Sequence, residues 1–509
     1  MKFSAVLLLS ALAFAGDVRI TPEDQKEEAQ WLASLGIKPP PTPWPLEDPF
    51  AMPFTRRSLI VPTAWYRQKR PQTLRADLFR EDIKLLHKIM EIAYGGWETA
   101  QRRGWNWDAF FREWDAQLAA RGNDDLPIAD AFAPWRKFME VQLDNHSGPL
   151  AGGFATVGHA FSWTSVLERE PAGNCTEFRN PKGAAYSIDA ADPAQKPKQR
   201  EDAAGRPVFY IVTTSAKGPV ASVRCGSDWI AAHPAWMPEE DERAPNIRLM
   251  AQTEKDVPVF RSISPRIAYI RFPSFSKPAV ELTITLEKSL RGRKGGEALL
   301  IVDLRGNGGG DMRLQALGNW VKVPALEEKR RIGASCLYPA LRWGYTQASA
   351  ANLKPPIDPG RRQSLQHSLD SLFHDDAPGC PVKFTESPAR VSYNQHRYPS
   401  KPAGTRLLVL VDNFCGSDCE ASVQVLSAIP GSVIAGVNTF GVAQYIQPGY
   451  FVLPNTRLPF RVALGTSDNY GDDRSFDGYG FDVDIVLASK QDQSPESILR
   501  LAERLLAAP

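Results

Sequence analysis

From Leu78 onward, apolar side chains recur at Ile83, Leu86, Met90, Ala93 and Trp97, mostly three or four residues apart, which marks one buried face of a helix. Trp107, Phe110, Phe111, Trp114 and Leu118 repeat that spacing and predict a second helix, and a third runs toward Val141 and Leu143. Aromatic side chains at helical spacing are core before they are a ligand box, so the stretch reads as a small helical domain. Between Pro149 and Asn246 the period changes to short β-like runs, such as Pro207–Val212 and Val220–Val223, split by Gly, Pro and charged loops.

Farther on the pattern alternates. Arg266–Phe272 predicts a strand, Val280–Leu290 a helix, Leu299–Leu304 a strand and Met312–Val321 an amphipathic helix. Leu407–Val411 predicts another buried strand, followed by a helix through Val423 and Leu426 and a strand near Val433–Ala435. Repeated strand-turn-helix units imply a layered α/β core. The segment from Pro324 to Gly404 interrupts two of these strands with little pattern. Loops beyond ~15 residues are usually functional or disordered, so this one is expected to form a cap over a site.

The amino terminus differs from the rest. Lys2 precedes the apolar run Ala5–Phe14, and Ala13-Phe14-Ala15 before Gly16 has the small-x-small form of a signal-peptidase site. Export to the periplasm or outside the cell is expected. The run is short of the ~20 residues that cross a bilayer, no later stretch reaches that length, and no cysteine follows the cut to take a lipid. Next come Pro39–Pro45, Pro49 and Pro53, which favour an extended arm over a helix.

Composition adds limits. With 509 residues and 43% hydrophobic content the chain can build more than one core, and a net charge of +2 argues for neither a nucleic-acid partner nor an acidic one. In an exported chain, six cysteines read as disulfides. Local pairing would join Cys175 to Cys225 and Cys336 to Cys380, leaving Cys415 and Cys419 to stiffen the turn around Ser417. With no histidine between or beside them, Cys415 and Cys419 lack the ligand set of a zinc site, and no metal or cofactor is expected.

Two segments carry candidate chemistry. Asp303-Leu-Arg305-Gly-Asn-Gly308-Gly309-Gly310 lies between a strand and a predicted helix, and its glycines free backbone amides to point at one developing negative charge. The other is Val409-Leu-Val-Asp-Asn-Phe-Cys415-Gly-Ser417-Asp418-Cys-Glu420. A serine at a strand-to-helix turn exposes its hydroxyl beside helix-terminal amides, offering nucleophile and oxyanion donors together. The same residue also fits a helix cap, with Glu420 completing a capping box.

Tyr269–Ser276, the Asp303–Gly310 turn, Gly416–Glu420, Asn438–Gly441 and Gly478–Ile485, in this order, resemble the core of the carboxyl-terminal-processing (tail-specific) and tricorn-like serine peptidases. Leu143-Asp-Asn145-His146-Ser-Gly resembles the family's Asp-x-His-Ser/Thr stretch. The tail-specific branch places a lysine base directly after Thr-Phe-Gly, where this chain has Val442, so a Ser-Lys dyad is excluded at that position. Tricorn-type members use a histidine and an acid instead. The resemblance therefore implies Ser417 as nucleophile, His146 as general base and then acid, and Asp477 as the group orienting the imidazole. Amides of Gly308 or Gly309 and of Asp418 would form the oxyanion site, with Asn145, Glu420 and Arg305 in support.

The resemblance also implies an α/β fold with a crotonase/ClpP-like strand-turn-helix spiral core, an N-terminal helical-bundle domain and a β-rich insertion. On this reading 1–15 is the signal peptide, 16–72 the proline-rich arm, 73–148 the helical domain and 149–260 a β-rich intervening region. Residues 261–490 form the peptidase core with the cap insertion 324–404, and 491–509 a C-terminal helix. The region between helical domain and core shows no carboxylate-binding glycine loop of the PDZ kind. A polypeptide substrate is implied. The same core occurs in interphotoreceptor retinoid-binding protein, so a non-catalytic binder of apolar ligands is the alternative.

Overall fold

Side chains alternating to either face of a central run of parallel strands organise the molecule. The computed structural model describes every residue except 1–20, 40–58, 68–70, 103, 143, 145, 151–161, 190–194, 215–216, 237–256, 294, 324–325, 334–335, 352, 354, 358, 374–385, 394–403, 468–477 and 509. The signal segment, Asn145, Cys380 and Asp477 lie outside the described residues.

Ile267–Arg271, Leu299–Asp303, Arg406–Val411, Val433–Gly436, Ile485–Val486 and Lys198–Asp202 pair in parallel, each with the next. Leu300, Val302, Leu407 and Val409 face one core with Val423 and Leu426 of the helix Asp418–Ser427. Leu299, Ile301, Leu408 and Leu410 face the other, with Ile498 and Leu501 of the helix Pro495–Ala507. Burial on both faces explains why these strands read as continuous apolar runs.

The β-rich region continues this sheet. Val259–Ser262 pairs antiparallel with Ile267–Arg271 at one edge; toward the other, Pro207–Thr213 pairs antiparallel with Lys198–Asp202, and Trp163–Leu167, Asp228–Pro234, Ser222–Cys225, Cys175–Arg179 and Ala185–Ser187 follow in order, giving thirteen strands. Disulfides join Cys175 to Cys225 and Cys415 to Cys419. Cys336 is also disulfide-bonded.

The helical stretch holds Ala76–Ala93, Trp107–Ala119 and Ala133–Gln142. The third helix buries Trp135 and Phe138, whereas Val141 is 52% exposed and so lies off the buried face expected for it. Asp82 docks the first of these helices onto a second sheet by accepting from the Asn455 amide at 3.0 Å and the Thr456 amide and hydroxyl at 2.9 and 2.6 Å. Burial pushes the Asp82 carboxyl up to about 7 against those hydrogen bonds.

Elsewhere the elements depart from, or add to, the sequence pattern. Met312–Val321 is not an α-helix; Gln315–Asn319 is a 3₁₀ helix, because Leu314, Leu317 and Trp320, all fully buried, recur at the three-residue spacing that a 3₁₀ turn places on one face. Within 16–72, Pro22–Ser34 and Thr63–Arg67 are helical, while the proline stretch expected to be extended falls, from residue 40 on, outside the described residues. The insertion after Val323 contains the paired strands Leu326–Gly333 and Glu386–Tyr393 and the helices Tyr338–Ala350 and Pro359–Phe373. Leu341, Trp343 and Leu369 of those helices belong to the same core as Phe79, Leu86 and Trp107, and Tyr338–Ala350 packs on the strand Tyr445–Leu453. No helix of the described residues is long and apolar enough to cross a membrane.

Candidate active site

Two neighbouring parallel strands deliver the two candidate segments to one place. Leu299–Asp303 and Arg406–Val411 run in register, with Asp303 opposite Leu410, so the loops that follow emerge side by side at the carboxyl edge of the sheet. In open α/β sheets that edge is where ligands bind.

The glycine turn is braced from below. Asp303 and Arg305 form a buried ion pair at 2.7 Å, Tyr269 donates its hydroxyl to Asp303 at 2.9 Å, and Arg305 donates to the Gln493 carbonyl at 3.2 Å. Burial alone would raise the Asp303 carboxyl; the Arg305 charge and its hydrogen bonds hold it below its ordinary value. Arg305 thus braces the turn and is itself buried.

Asn307 and Asp412, which the sequence patterns did not single out, tie the two loops together. Asn307 donates to the Phe272 carbonyl at 2.9 Å and accepts the Gly309 amide at 2.9 Å, while its own carbonyl accepts the Gly416 amide at 3.1 Å. Asp412 accepts the Gly306 and Phe414 amides at 3.0 Å each. The only available signal for them was a short polar residue beside each glycine turn.

Ser417 stands at the amino end of the helix Asp418–Ser427 with φ 55° and ψ −122°, a conformation that few non-glycine residues adopt. The strand-turn-helix expected from the sequence is therefore present, with its serine at a strained corner. Gly309, with φ 91°, packs directly on it: a Cβ there would fall 2.5 Å from the Gly416 carbonyl, 2.8 Å from Ser417 Cβ and 2.9 Å from the Asp418 amide nitrogen. Gly308 is exposed, with open space around the position of a Cβ. The Cys415–Cys419 disulfide closes the loop around Ser417, and both cysteines are fully buried.

Glu420 is fully buried one turn into the helix. Its carboxylate accepts the Ser417 amide at 3.2 Å, the Thr439 hydroxyl at 2.6 Å, the Gly441 amide at 2.7 Å and the Val442 amide at 2.8 Å. Burial pushes this carboxyl up to about 7, opposed by the four hydrogen bonds. The Gly441 carbonyl in turn accepts the Gly478 amide at 2.7 Å.

His146 is half-buried and its amide donates to Asp144 at 2.7 Å. Its neighbour Ser147 accepts the Ala463 amide at 2.9 Å, and Gly148–Pro149 pairs with Phe460 and Arg461. The same strand, Leu458–Ser467, pairs with Tyr445–Leu453, and Ser467 donates to the Gln444 carbonyl at 2.7 Å. Val442, two residues before Gln444, lies 3.1 Å from where a Cβ on Gly416 would stand. Among the described residues no hydrogen bond links Ser417 to His146.

No protein-family model matches the chain. No curated protein matches its sequence. Among solved structures, mature CPAF is similar at 14% identity and TM-score 0.42, over 84% of this chain and 96% of that one. The photosystem II D1 C-terminal processing protease is similar at 15% identity and TM-score 0.34, over 81% and 92%. Tricorn protease is similar at 12% identity and TM-score 0.38, over 85% and 37%. Likenesses this distant carry no argument, and the functional reading rests on the residues.

Proposed function

We propose that the chain is an exported serine-type endopeptidase of the histidine-using, tricorn-like branch, with Ser417 as nucleophile. The observation that carries this reading is the strained Ser417 corner facing the glycine turn. A non-glycine residue in such a conformation costs on the order of 1–3 kcal/mol, and strain of that kind clusters where a side chain must be presented for chemistry.

In the proposed reaction Ser417 Oγ attacks the carbonyl carbon of the scissile peptide while His146 takes the hydroxyl proton. The negative charge on the former carbonyl oxygen would be met by the amides of Gly308 and Asp418. The Gly309 amide, directed at Asn307, is the less suited of the two turn amides named from the sequence. Collapse expels the amine with the proton from His146 and leaves an acyl ester on Ser417, which water hydrolyses by the same path in reverse roles. Asp477 would orient the imidazole, with Asn145 in support. Val442 offers no proton acceptor, which is why the base is sought on another element.

The finer architecture follows the same reading: a crotonase/ClpP-like spiral core with an N-terminal helical-bundle domain and a β-rich insertion, exported to the periplasm or outside the cell under a cleaved signal at 1–15. The substrate is a polypeptide. Digestion of casein by the full chain and by Ser417→Ala tests the proposal: loss of hydrolysis in a folded variant is expected, and hydrolysis at the unaltered rate would overturn it.

A further inference from the structure

The four groups that face the Glu420 carboxylate are all donors. Oε1 accepts the Thr439 hydroxyl and the Gly441 amide, and Oε2 accepts the Val442 and Ser417 amides. Three of the four are backbone amides, whose polarity cannot be reversed. The Thr439 hydroxyl oxygen is itself engaged, accepting the Phe481 amide at 2.7 Å. A fully buried acid thus joins three separate segments: the nucleophile turn, the stretch 439–442 and, through Thr439, the stretch ending at Phe481.

We propose that Glu420 is a positioning residue for the nucleophile, fixing the Ser417 turn against the 439–442 segment through an acceptor that only a carboxylate supplies. The inference rests on the peptidase reading of Ser417. It goes beyond a helix cap, because a cap would need only the Ser417 amide, whereas three of the four contacts reach 19 to 22 residues along the chain.

Glutamine is the discriminating substitution because it keeps the size and changes only the donor and acceptor pattern. Turned toward Thr439, its NH₂ leaves the Gly441 amide without an acceptor, even if the threonine hydroxyl rotates to accept. Turned the other way, it leaves both the Val442 and Ser417 amides without one. Either orientation breaks a buried amide's hydrogen bond within reach of the nucleophile. Misplacement of a reacting group by about 1 Å costs on the order of 100-fold in rate.

The test uses the full chain and a fluorophosphonate probe, with thermal unfolding as a control for folding. Glu420→Gln is expected to unfold cooperatively and to react on the order of 100-fold more slowly at saturating probe, with the half-saturating probe concentration unchanged. Thr439→Val, close to isosteric, removes one donor from the carboxylate shell and is expected to show a smaller loss with the same split. It decides the matter alone if Glu420→Gln does not fold. Wild-type reactivity in a folded Glu420→Gln, or in Thr439→Val when that variant alone is available, would overturn the proposal while leaving Ser417 as nucleophile. Absence of any reaction in the unaltered chain would overturn the peptidase reading, and this inference with it.

Discussion

Gly309 packs against Ser417 so closely that a methyl group on its Cα would stand 2.8 Å from the serine Cβ and 2.5 Å from the Gly416 carbonyl oxygen. The φ of 91° at Gly309 adds a second reason for glycine. Gly309→Ala is therefore expected to displace the Ser417 corner, lower the stability by about 1–3 kcal/mol and abolish probe labelling. Gly308→Ala is the matched control, since its Cβ meets nothing within 4 Å and its amide is retained. Urea unfolding and labelling of the two variants check this, and equal labelling by both would contradict the packing.

Asp82 gives a pH dependence of stability whose sign follows from burial. Its folded-state value of about 7 lies above the ordinary value of 3.8, so in the unfolded chain the proton leaves first. Between about pH 4 and 7 the folded state holds more protons, and this group's contribution falls as pH rises, levelling off above pH 7. Unfolding free energy measured from pH 5 to 8 should fall more steeply in the unaltered chain than in Asp82→Asn, by on the order of 2 kcal/mol. An identical slope in the two proteins would show that Asp82 is not perturbed. Glu420, also raised to about 7 by burial, contributes in the same direction.

The Cys415–Cys419 bridge encloses the nucleophile in a loop of few residues, so its entropic effect on the whole fold is modest, about 2 kcal/mol. Its local effect is expected to be larger, because it holds both flanks of a serine in an unfavourable conformation. Replacing both cysteines by alanine should lower the melting temperature by a few degrees and slow probe labelling by about tenfold or more, on the scale of small misplacements of a reacting group. Unchanged labelling in the double variant would show that the corner needs no clamp.

Much of the core was legible because its signals are local. The apolar runs Leu299–Leu304 and Leu407–Val411 could be buried only between two layers, and the glycine and serine turns follow them directly. Two of the disulfides, Cys175–Cys225 and Cys415–Cys419, follow simple proximity along the chain. The insertion was illegible for the opposite reason. Tyr338–Ala350 buries one side, but Ala340, Gly344 and Gln347 stand on that side beside Leu341 and Trp343, so small and polar residues blur its apolar period. Asn307 and Asp412 escaped notice because their partners are backbone groups, which leave no mark in a sequence.

His146 precedes Gly148–Pro149, which pairs with the strand Leu458–Ser467, itself paired with Tyr445–Leu453. If it serves as the base, His146→Ala should fold normally and lose on the order of 10³-fold or more in casein hydrolysis, as expected when a serine loses its proton acceptor. Catalytic hydrogen bonds are often long before substrate binds and tighten in the complex. Hydrolysis by His146→Ala at the unaltered rate would assign the base elsewhere.

The most direct test of Ser417 as nucleophile is mass-spectrometric mapping of the fluorophosphonate adduct on the full chain and on Ser417→Ala. A single adduct on the peptide containing Ser417, absent from the variant, is the predicted result. An adduct on another residue, or undiminished modification of Ser417→Ala, would contradict it.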